Sequence, residues 1–548
     1  MIINAKKYAG KCVCGEDHAL STELCVVEAG CLNKIDDYLS QYGLTGYCTA
    51  VYDSNTYEAD GLVRPTVDYE VILDATNLHA NEHGVDLLWK QLPVNTEFLI
   101  AVGSGTIHDI TRYCAYRKGI LTCEEMAYTV CPTEINNTTL NDCSYTRNKI
   151  IEGRLGVKLN FVLQTGIPTA VGVYEEFSSK VTNAVSAGTG DYDLVCAFSL
   201  GPADWALKGY CLNLNNVDYL DFEKPWWSYS VLENEFHDSI FYAMTNCSGT
   251  VLDELIVTYY NRDILAANNI EDPEQLALDG KWTLDKLYQY SKNLYVDNNK
   301  NGGKDLQDSF GLVFYKVVYT DSFFYGAGLN VARNNPNTGL PELSLNDTTE
   351  MNKALEVIKG IIAGLDGTDV ILGQNANESG LECMKENRTA FYISYIKHTK
   401  EIPDSKVWGI IPTPKFNEDQ ENYITTPNND FDAWCILKDA KDPDMSGAIM
   451  EAYASGCYRT VAPAYYDEHL SYRYSNNENG VAIFNMIKQN VKIDVGRING
   501  FAIGVVDEYV RQAYREQYNN FYRWYMMNYK AIQKKLNKVI ESYKNGVE

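Results

Sequence analysis

The stretch Leu99-Ile-Ala-Val-Gly-Ser-Gly-Thr-Ile-His-Asp-Ile-Thr-Arg112 sets the class of the first domain. An apolar run, Phe98 to Val102, meets Gly103-Ser104-Gly105-Thr106, and a helical pattern continues through Asp109, Ile110 and Tyr113. A buried strand, a tight glycine turn and a helix N-terminus in that order present backbone N–H groups to a phosphate. A GxG turn alone is a common device, so its surroundings decide what it means.

Those surroundings include Cys12-Val-Cys14-Gly15-Glu-Asp-His18, the block Asp53-Ser-Asn55-Thr56-Tyr57, and the long run Ile100 to Tyr113. On these motifs, residues 1 to about 120 resemble the N-terminal domain of the sn-glycerol-1-phosphate dehydrogenase family, relatives of the iron-type alcohol dehydrogenases. The resemblance implies a nucleotide-binding α/β unit, truncated here to 1–121, with Asp53, Gly103, Ser104, Gly105 and Thr106 around a residual NAD(P) site. It also implies a helical domain with Asp and His ligands for a catalytic metal. The chain departs from that pattern at Gly119-Ile120-Leu121, has only 7 His, and carries no HxxxH pair after residue 120. The expectation is that hydride transfer is lost, and no catalytic residue is assigned.

A chain of 548 residues is too long for one core and predicts about three domains or lobes. Hydrophobic content of 45% beside 22% charged residues is that of ordinary folded protein. A formal charge of −26 argues against nucleic acid or an anionic membrane surface as partner; the plainer role of the acid excess is solubility. The 15 Cys show no repeated CxxC spacing, Cys12 and Cys14 lack a second ligand pair for zinc, and Cys196, Cys211 and Cys435 sit in apolar runs, so buried thiols rather than a disulfide framework are expected. No apolar run spans a membrane, and Met1-Ile-Ile-Asn-Ala-Lys-Lys7 is too short and polar for a secretory signal, so the chain as written reads as cytoplasmic.

From about residue 122 the pattern changes. Asn141 to Arg154 reads as a helix capped by Asn141, Gly156 to Val162 as a strand, Tyr174 to Ala187 as a helix and Tyr192 to Phe198 as a second buried strand. Such alternation with short connections predicts a parallel, doubly wound α/β sheet. Only Glu125-Met-Ala-Tyr-Thr-Val130 remains to supply the first strand.

Seven blocks in order carry a second resemblance: Leu140 to Asn148, Gly209 to Trp227, Tyr259 to Leu265, Asp279 to Asp285, Phe324 to Gly328, Trp408 to Pro414 and Tyr458 to Tyr466. They resemble the family 1 extracellular solute-binding proteins, sugar-type receptors of ABC importers that are normally extracellular and membrane-anchored. The resemblance implies a two-lobed periplasmic-binding-protein-like fold, with lobe one at 122–258 plus 393–432 and lobe two at 259–392 plus 433–548. Tyr259-Tyr-Asn261 would be the first crossover, Arg388 to Ile393 the return, and Asn428 to Asp432 a further crossing. A small-molecule carbohydrate, and ABC importer membrane subunits if the chain is exported, are the implied partners.

A sugar needs an aromatic plate for its apolar face and carboxylates or amides for its hydroxyls. Asp204 and Trp205 follow a strand end, where open sheets bind ligands. Glu254 precedes the crossover strand where receptors of this kind carry an acidic ligand. Phe324, Tyr325, Tyr395, Tyr465 and Tyr466 supply aromatics from lobe two, a set that suits a neutral oligosaccharide. Trp226-Trp227 reads as structural packing. Separately, Asp297, Asn299, Asn301, Asp305 and Asp308 stand at positions 1, 3, 5, 9 and 12 of an EF-hand-like loop with Gly302 at position 6, the spacing of a weak calcium site.

Three readings follow. The leading one is a sugar-type solute-binding protein with a vestigial nucleotide-binding domain, binding without catalysis. The rival is a glycerol-1-phosphate dehydrogenase-like oxidoreductase inactivated by loss of its metal-binding half. The third is a fused or chimeric reading frame without integrated function.

Overall fold

A computed structural model describes all of the chain except residues 1, 4–9, 12–16, 19–24, 28, 94–95, 116, 169–170, 316–317, 371–375, 403–406, 467–477, 516–519 and 546–548. The Cys12/Cys14 motif and most of Met1–Lys7 lie outside the described residues. The chain divides into two compact units: Met1–Arg117 with Gly156–Lys158, and Lys118–Leu155 with Leu159–Glu548.

The first unit is built on β1 (Cys48–Asp53), β2 (Tyr69–Leu73) and β3 (Phe98–Val102), all parallel, in the order β2-β1-β3. Every residue of β1 is buried, the signature of a central parallel strand covered on both faces. Its side chains alternate. Val51 joins a core with Val71, Leu73, Val85, Leu88, Ile107 and Ile110 under the helices α2 (Glu82–Trp89) and α3 (Gly105–Ala115). Cys48, Ala50 and Tyr52 face the other way, against Ile35 and Leu39 of α1 (Ile35–Gln41). The strand order reverses between β1 and β3, and at such a switch point the carboxyl ends of open parallel sheets bind ligands.

The second unit opens with β4 (Arg117–Cys123), not with Glu125–Val130, which forms helical turns instead. Ile120, Leu121 and Cys123 are fully buried, so the expectation for strand one was misplaced by a few residues. The reason is visible in the sequence: Gly119-Ile-Leu-Thr-Cys123 is the short apolar run, whereas two glutamates open the next segment. Helix α4 (Thr139–Leu155), β5 (Lys158–Gln164), α5 (Val173–Ala187) and β6 (Leu194–Phe198) then follow the expected alternation. Helix α4 begins two residues before Asn141, whose amide donates to the Glu134 carbonyl at 2.7 Å rather than capping the helix.

Two sheets organise this unit. The first has the order β12-β6-β4-β5, where β12 is Asp432–Ile436. Strand β6 runs parallel to β4 and antiparallel to β12, with Phe198 opposite Asp432 and Leu194 opposite Ile436. The second sheet contains β7 (Ile256–Asn261), β8 (Phe310–Phe314), β9 (Asp369–Val370), β10 (Thr389–Tyr395) and β11 (Trp408–Ile411), in the order β9-β8-β10-β7-β11. Both sheets are therefore mixed, not purely parallel.

These pairings revise the lobe boundaries. Strand β10 is no return to the first sheet: it pairs with β7 and β8, and β11 then adds to the other edge of β7. Residues 393–432 are thus divided between the sheets. Residues from 433 onward also begin in lobe one, because β12 extends to Ile436 and Arg147 of α4 lies 4.2 Å over the Tyr453 ring of α8 (Pro443–Gly456).

Candidate functional site

At the switch point of the first unit, Gly103 and Ser104 link β3 to α3, and Gly105 is the first residue of that helix. A Cβ added to Gly105 would meet nothing within 4 Å, so there is open space over the helix N-terminus where a phosphate would dock. Gly103 has φ +156°, and a Cβ there would lie 3.0 Å from Asp53 Oδ2. Asp53 is not a free acceptor: it caps the helical turn Ser54–Tyr57, accepting from Thr56 N at 2.8 Å and Thr56 Oγ1 at 3.0 Å. The glycine turn leaves open space beside Gly105, while Asp53 serves the local backbone.

In the second unit, the chain crosses between the two sheets where segments 254–256 and 426–428 lie side by side. Ile256 N donates to Thr426 O (3.2 Å), Asn428 N to Glu254 O (2.9 Å) and Ile396 N to Leu255 O (2.8 Å). Glu254 follows the short helix α7 (Gly249–Asp253), which is capped by Ser248. Its side chain is 8% exposed. Lys397 Nζ reaches its Oε1 at 2.5 Å, while Oε2 is buried without a hydrogen-bond partner. Burial pushes this carboxyl up to about 7, against the pull of Lys397 and of the Asn428 amide.

Lys397 also lies 4.5 Å over the ring of Tyr395, which packs edge-on to Tyr319 at 4.7 Å. Asp430, half-buried, accepts from Asn428 Nδ2 at 3.1 Å, and burial raises its pKa with Lys397 and Arg497 opposing. The carboxyl edge of the first sheet adjoins this group. Ser199 Oγ donates to Asn429 O at 2.7 Å, and Glu125, after β4, accepts from Gly166 N and Ile167 N at 3.1 to 3.3 Å. Three aromatic rings gather at the same edge: Tyr174 and Phe501 at 4.8 Å, with Phe198 6.2 Å from Phe501. Phe501 is 40% exposed.

Of the ligand candidates named from sequence, Glu254 and Tyr395 are brought together through Lys397. The others are engaged in contacts within the protein. Trp205, on α6 (Leu200–Leu207), is wholly buried, stacked on Phe177 at 5.9 Å, and donates to Ser178 Oγ at 2.8 Å. Asp204 is taken up by Lys208 at 2.7 Å and Tyr174 OH at 3.0 Å. Tyr465 is buried, with its hydroxyl on Asp253 at 2.7 Å, and Tyr466 packs on Phe484 at 4.6 Å. Phe324 is 1% exposed, edge-on to Tyr325, whose buried hydroxyl has no partner and whose ring lies 5.2 Å from the Arg497 guanidinium. Trp226 and Trp227 both donate to Glu451 at 2.9 Å, a packing role as expected.

Sequence reasoning missed Lys397, Asp430, Glu125 and Phe501. Glu125 was hidden by its assignment to a strand. Phe501 has no local signal, because only tertiary packing brings residue 501 to residue 198.

The 297–308 loop is a closed hydrogen-bonded turn. Asp297 accepts from Asn301 N and Gly302 N, Asp305 from the amides of Asn299 and Asn301, and Asp308, fully buried, from Asn298 N and Tyr295 OH. The five named side chains therefore share one loop. Among the described residues no group of three or more His, Cys, Asp or Glu is gathered to hold a metal. Every described cysteine is a free thiol, and no helix among the described residues is long and apolar enough to cross a membrane.

The second unit is an α/β body of two linked sheets with a buried carboxylate where they connect. Residues 156–444 match the bacterial extracellular solute-binding protein family, and the chain belongs to it. Residues 26–133 match the iron-containing alcohol dehydrogenase family. Among curated relatives, glycerol-1-phosphate dehydrogenase [NAD(P)+] of Halalkalibacterium halodurans is 29% identical over 222 residues, covering 38% of this chain and 51% of the relative. The Bacillus licheniformis enzyme of the same name is 28% identical over 130 residues, 22% of this chain and 32% of the relative. The chain spans about half the length of the first and a third of the second.

Similar solved structures include the GacH receptor of Streptomyces glaucescens, studied unliganded and with acarbose (13% identity, TM-score 0.46, covering 78% of this chain and 98% of that one). MalE of Listeria monocytogenes with maltose is 14% identical, with TM-score 0.46 and coverage of 79% and 98%. MalE of Bdellovibrio bacteriovorus with maltotriose is 15% identical, with TM-score 0.44 and coverage of 79% and 99%.

Proposed function

We propose that the second unit binds a carbohydrate-type solute between its lobes for uptake by an ABC importer, and that the chain performs no catalysis. The observation that supports this most is Glu254, a buried carboxylate at the crossing of the two sheets with one oxygen lacking a donor. A sugar hydroxyl is the group that such an oxygen takes, and the exposed Phe501, with Tyr174 beside it, offers a face for a pyranose ring. The test is a thermal-shift panel of mono- and oligosaccharides on the full chain, with Glu254→Ala beside it. Stabilisation by a sugar, weakened by about 1–3 kcal/mol in the variant, supports the reading. No stabilisation by any sugar overturns it.

The N-terminal unit retains residual dinucleotide affinity in this reading, favoured by the open space over Gly105. When bound, a nicotinamide cofactor supplies hydride chemistry; this unit's own contribution is the backbone N–H groups of the α3 N-terminus. Calcium in the 297–308 loop is a further proposal, held by Asp297, Asp305, Asp308 and the Asn299 and Asn301 amide oxygens after rotation of the amides.

A further inference from the structure

The charges around Glu254 do not balance. Glu254 and Asp430 lie beside one ammonium, Lys397, which is already on Glu254 Oε1 at 2.5 Å, and Glu125 adds its charge beside Asp430. Arg497 is the other nearby cation, but its charge is matched elsewhere: Nη2 lies 3.2 Å from Asp321 Oδ2, and its Nη1 donates to Thr426 Oγ1 at 2.7 Å. Asp321 is shared with Arg511, which in turn pairs with Asp507 at 3.2 Å, so those two arginines and two aspartates cancel. Asp204 is likewise matched by Lys208. Three carboxylates against one ammonium leave the cleft negative.

A second observation points to a missing partner. Glu254 Oε2 is buried without a hydrogen-bond partner, while Oε1 accepts from Lys397. A hydroxyl would satisfy that oxygen and leave the excess charge standing; an ammonium donor would answer both. The exposed ring of Phe501 beside Tyr174 and Phe198 adds aromatic faces, which attract cations as well as sugar rings. Burial holds both Glu254 and Asp430 above the usual carboxylate range, and Lys397 offsets it only in part.

We propose that the solute is a cationic carbohydrate, an oligosaccharide bearing a free amino group, and that Glu254, Asp430 and Glu125 select for its charge. This rests on the cleft reading above and narrows it. The test is calorimetric titration of the full chain with a glucosamine trisaccharide, its fully N-acetylated counterpart and maltotriose, at about pH 6, below the range in which an α-amino-type group loses its proton. The free-amine trimer should bind at least about tenfold more tightly than the other two, and the margin should shrink at high salt. Asp430→Asn, and independently Glu125→Gln, should each remove most of that margin; a margin that survives both variants would overturn the assignment of these carboxylates. Neutral trimers binding as tightly as the amine would overturn this proposal and leave the carbohydrate reading intact. No binding of any of the three overturns both.

Discussion

Glu254→Gln should make the protein more stable, and only at the higher pH. The native carboxyl is held at about 7, against an ordinary 4.5, because burial disfavours its charged form. A carboxyl raised in this way favours the folded state while protonated, and that advantage is lost as pH rises from 4.5 through 7. Linkage over this interval gives a loss of about 2–3 kcal/mol between pH 5 and pH 8, at 1.36 kcal/mol per pH unit. Glutamine keeps the shape and cannot ionise. It gives up the contact to Lys397, which is 36% exposed and so contributes little beyond about 1 kcal/mol. Melting curves of both proteins at pH 5 and pH 8, without solute, measure the double difference. The variant should gain on the wild type by about 2–3 kcal/mol at pH 8 relative to pH 5. Equal pH dependence of the two proteins would refute the claim that the site holds an uncompensated buried carboxylate. The trade is the ordinary one for a binding site, in which stability is given up to keep a group available.

Trp205→Ala should lower stability by about 3–5 kcal/mol without changing the solute affinity of the protein that remains folded; an unchanged melting temperature with lost affinity would return Trp205 to the site. Calcium at a hundredfold excess over its dissociation constant should stabilise the chain by about 2.7 kcal/mol, and a melting curve that neither chelator nor Asp297→Ala shifts would make 297–308 a plain turn. Gly105→Trp should abolish any NADH binding with little change in melting, because no atom lies within 4 Å of a Cβ there. The full chain should show no turnover with dihydroxyacetone phosphate, and steady NADH oxidation abolished by Gly105→Trp would restore the dehydrogenase reading.

Local rules carried much of the fold. The Phe98–Val102 strand and the helix beginning at Gly105 were legible because apolar run, glycine turn and helical period agree in one short window. Helix α5 and strand β6 were found within two residues for the same reason. What escaped was anything decided by pairing. Whether β10 returns to the first sheet depends on the partners of Thr389–Tyr395, and a buried strand carries the same apolar pattern in either sheet. The position of Glu254 at the crossing was legible because it stands at a fixed offset from a recognisable crossover, whereas Trp205 was misread because an aromatic after a strand end serves the core as readily as a cleft. The charge character of the site depends on which arginines are already matched, and no spacing in the chain reports that.

The pairing of β12 with β6 has a consequence for the chain while it is being made. Strand β6 ends at Phe198 and its antiparallel neighbour begins at Asp432. At about 5–20 residues per second, a ribosome needs roughly ten to fifty seconds to supply that neighbour. During that interval one edge of Leu194–Phe198, five residues destined for full burial, has no strand to pair with. An unpaired apolar edge is a template for association with other chains. The nascent protein therefore depends on something to shield it, whether a chaperone or rapid docking of the intervening helices, until synthesis has passed Ile436.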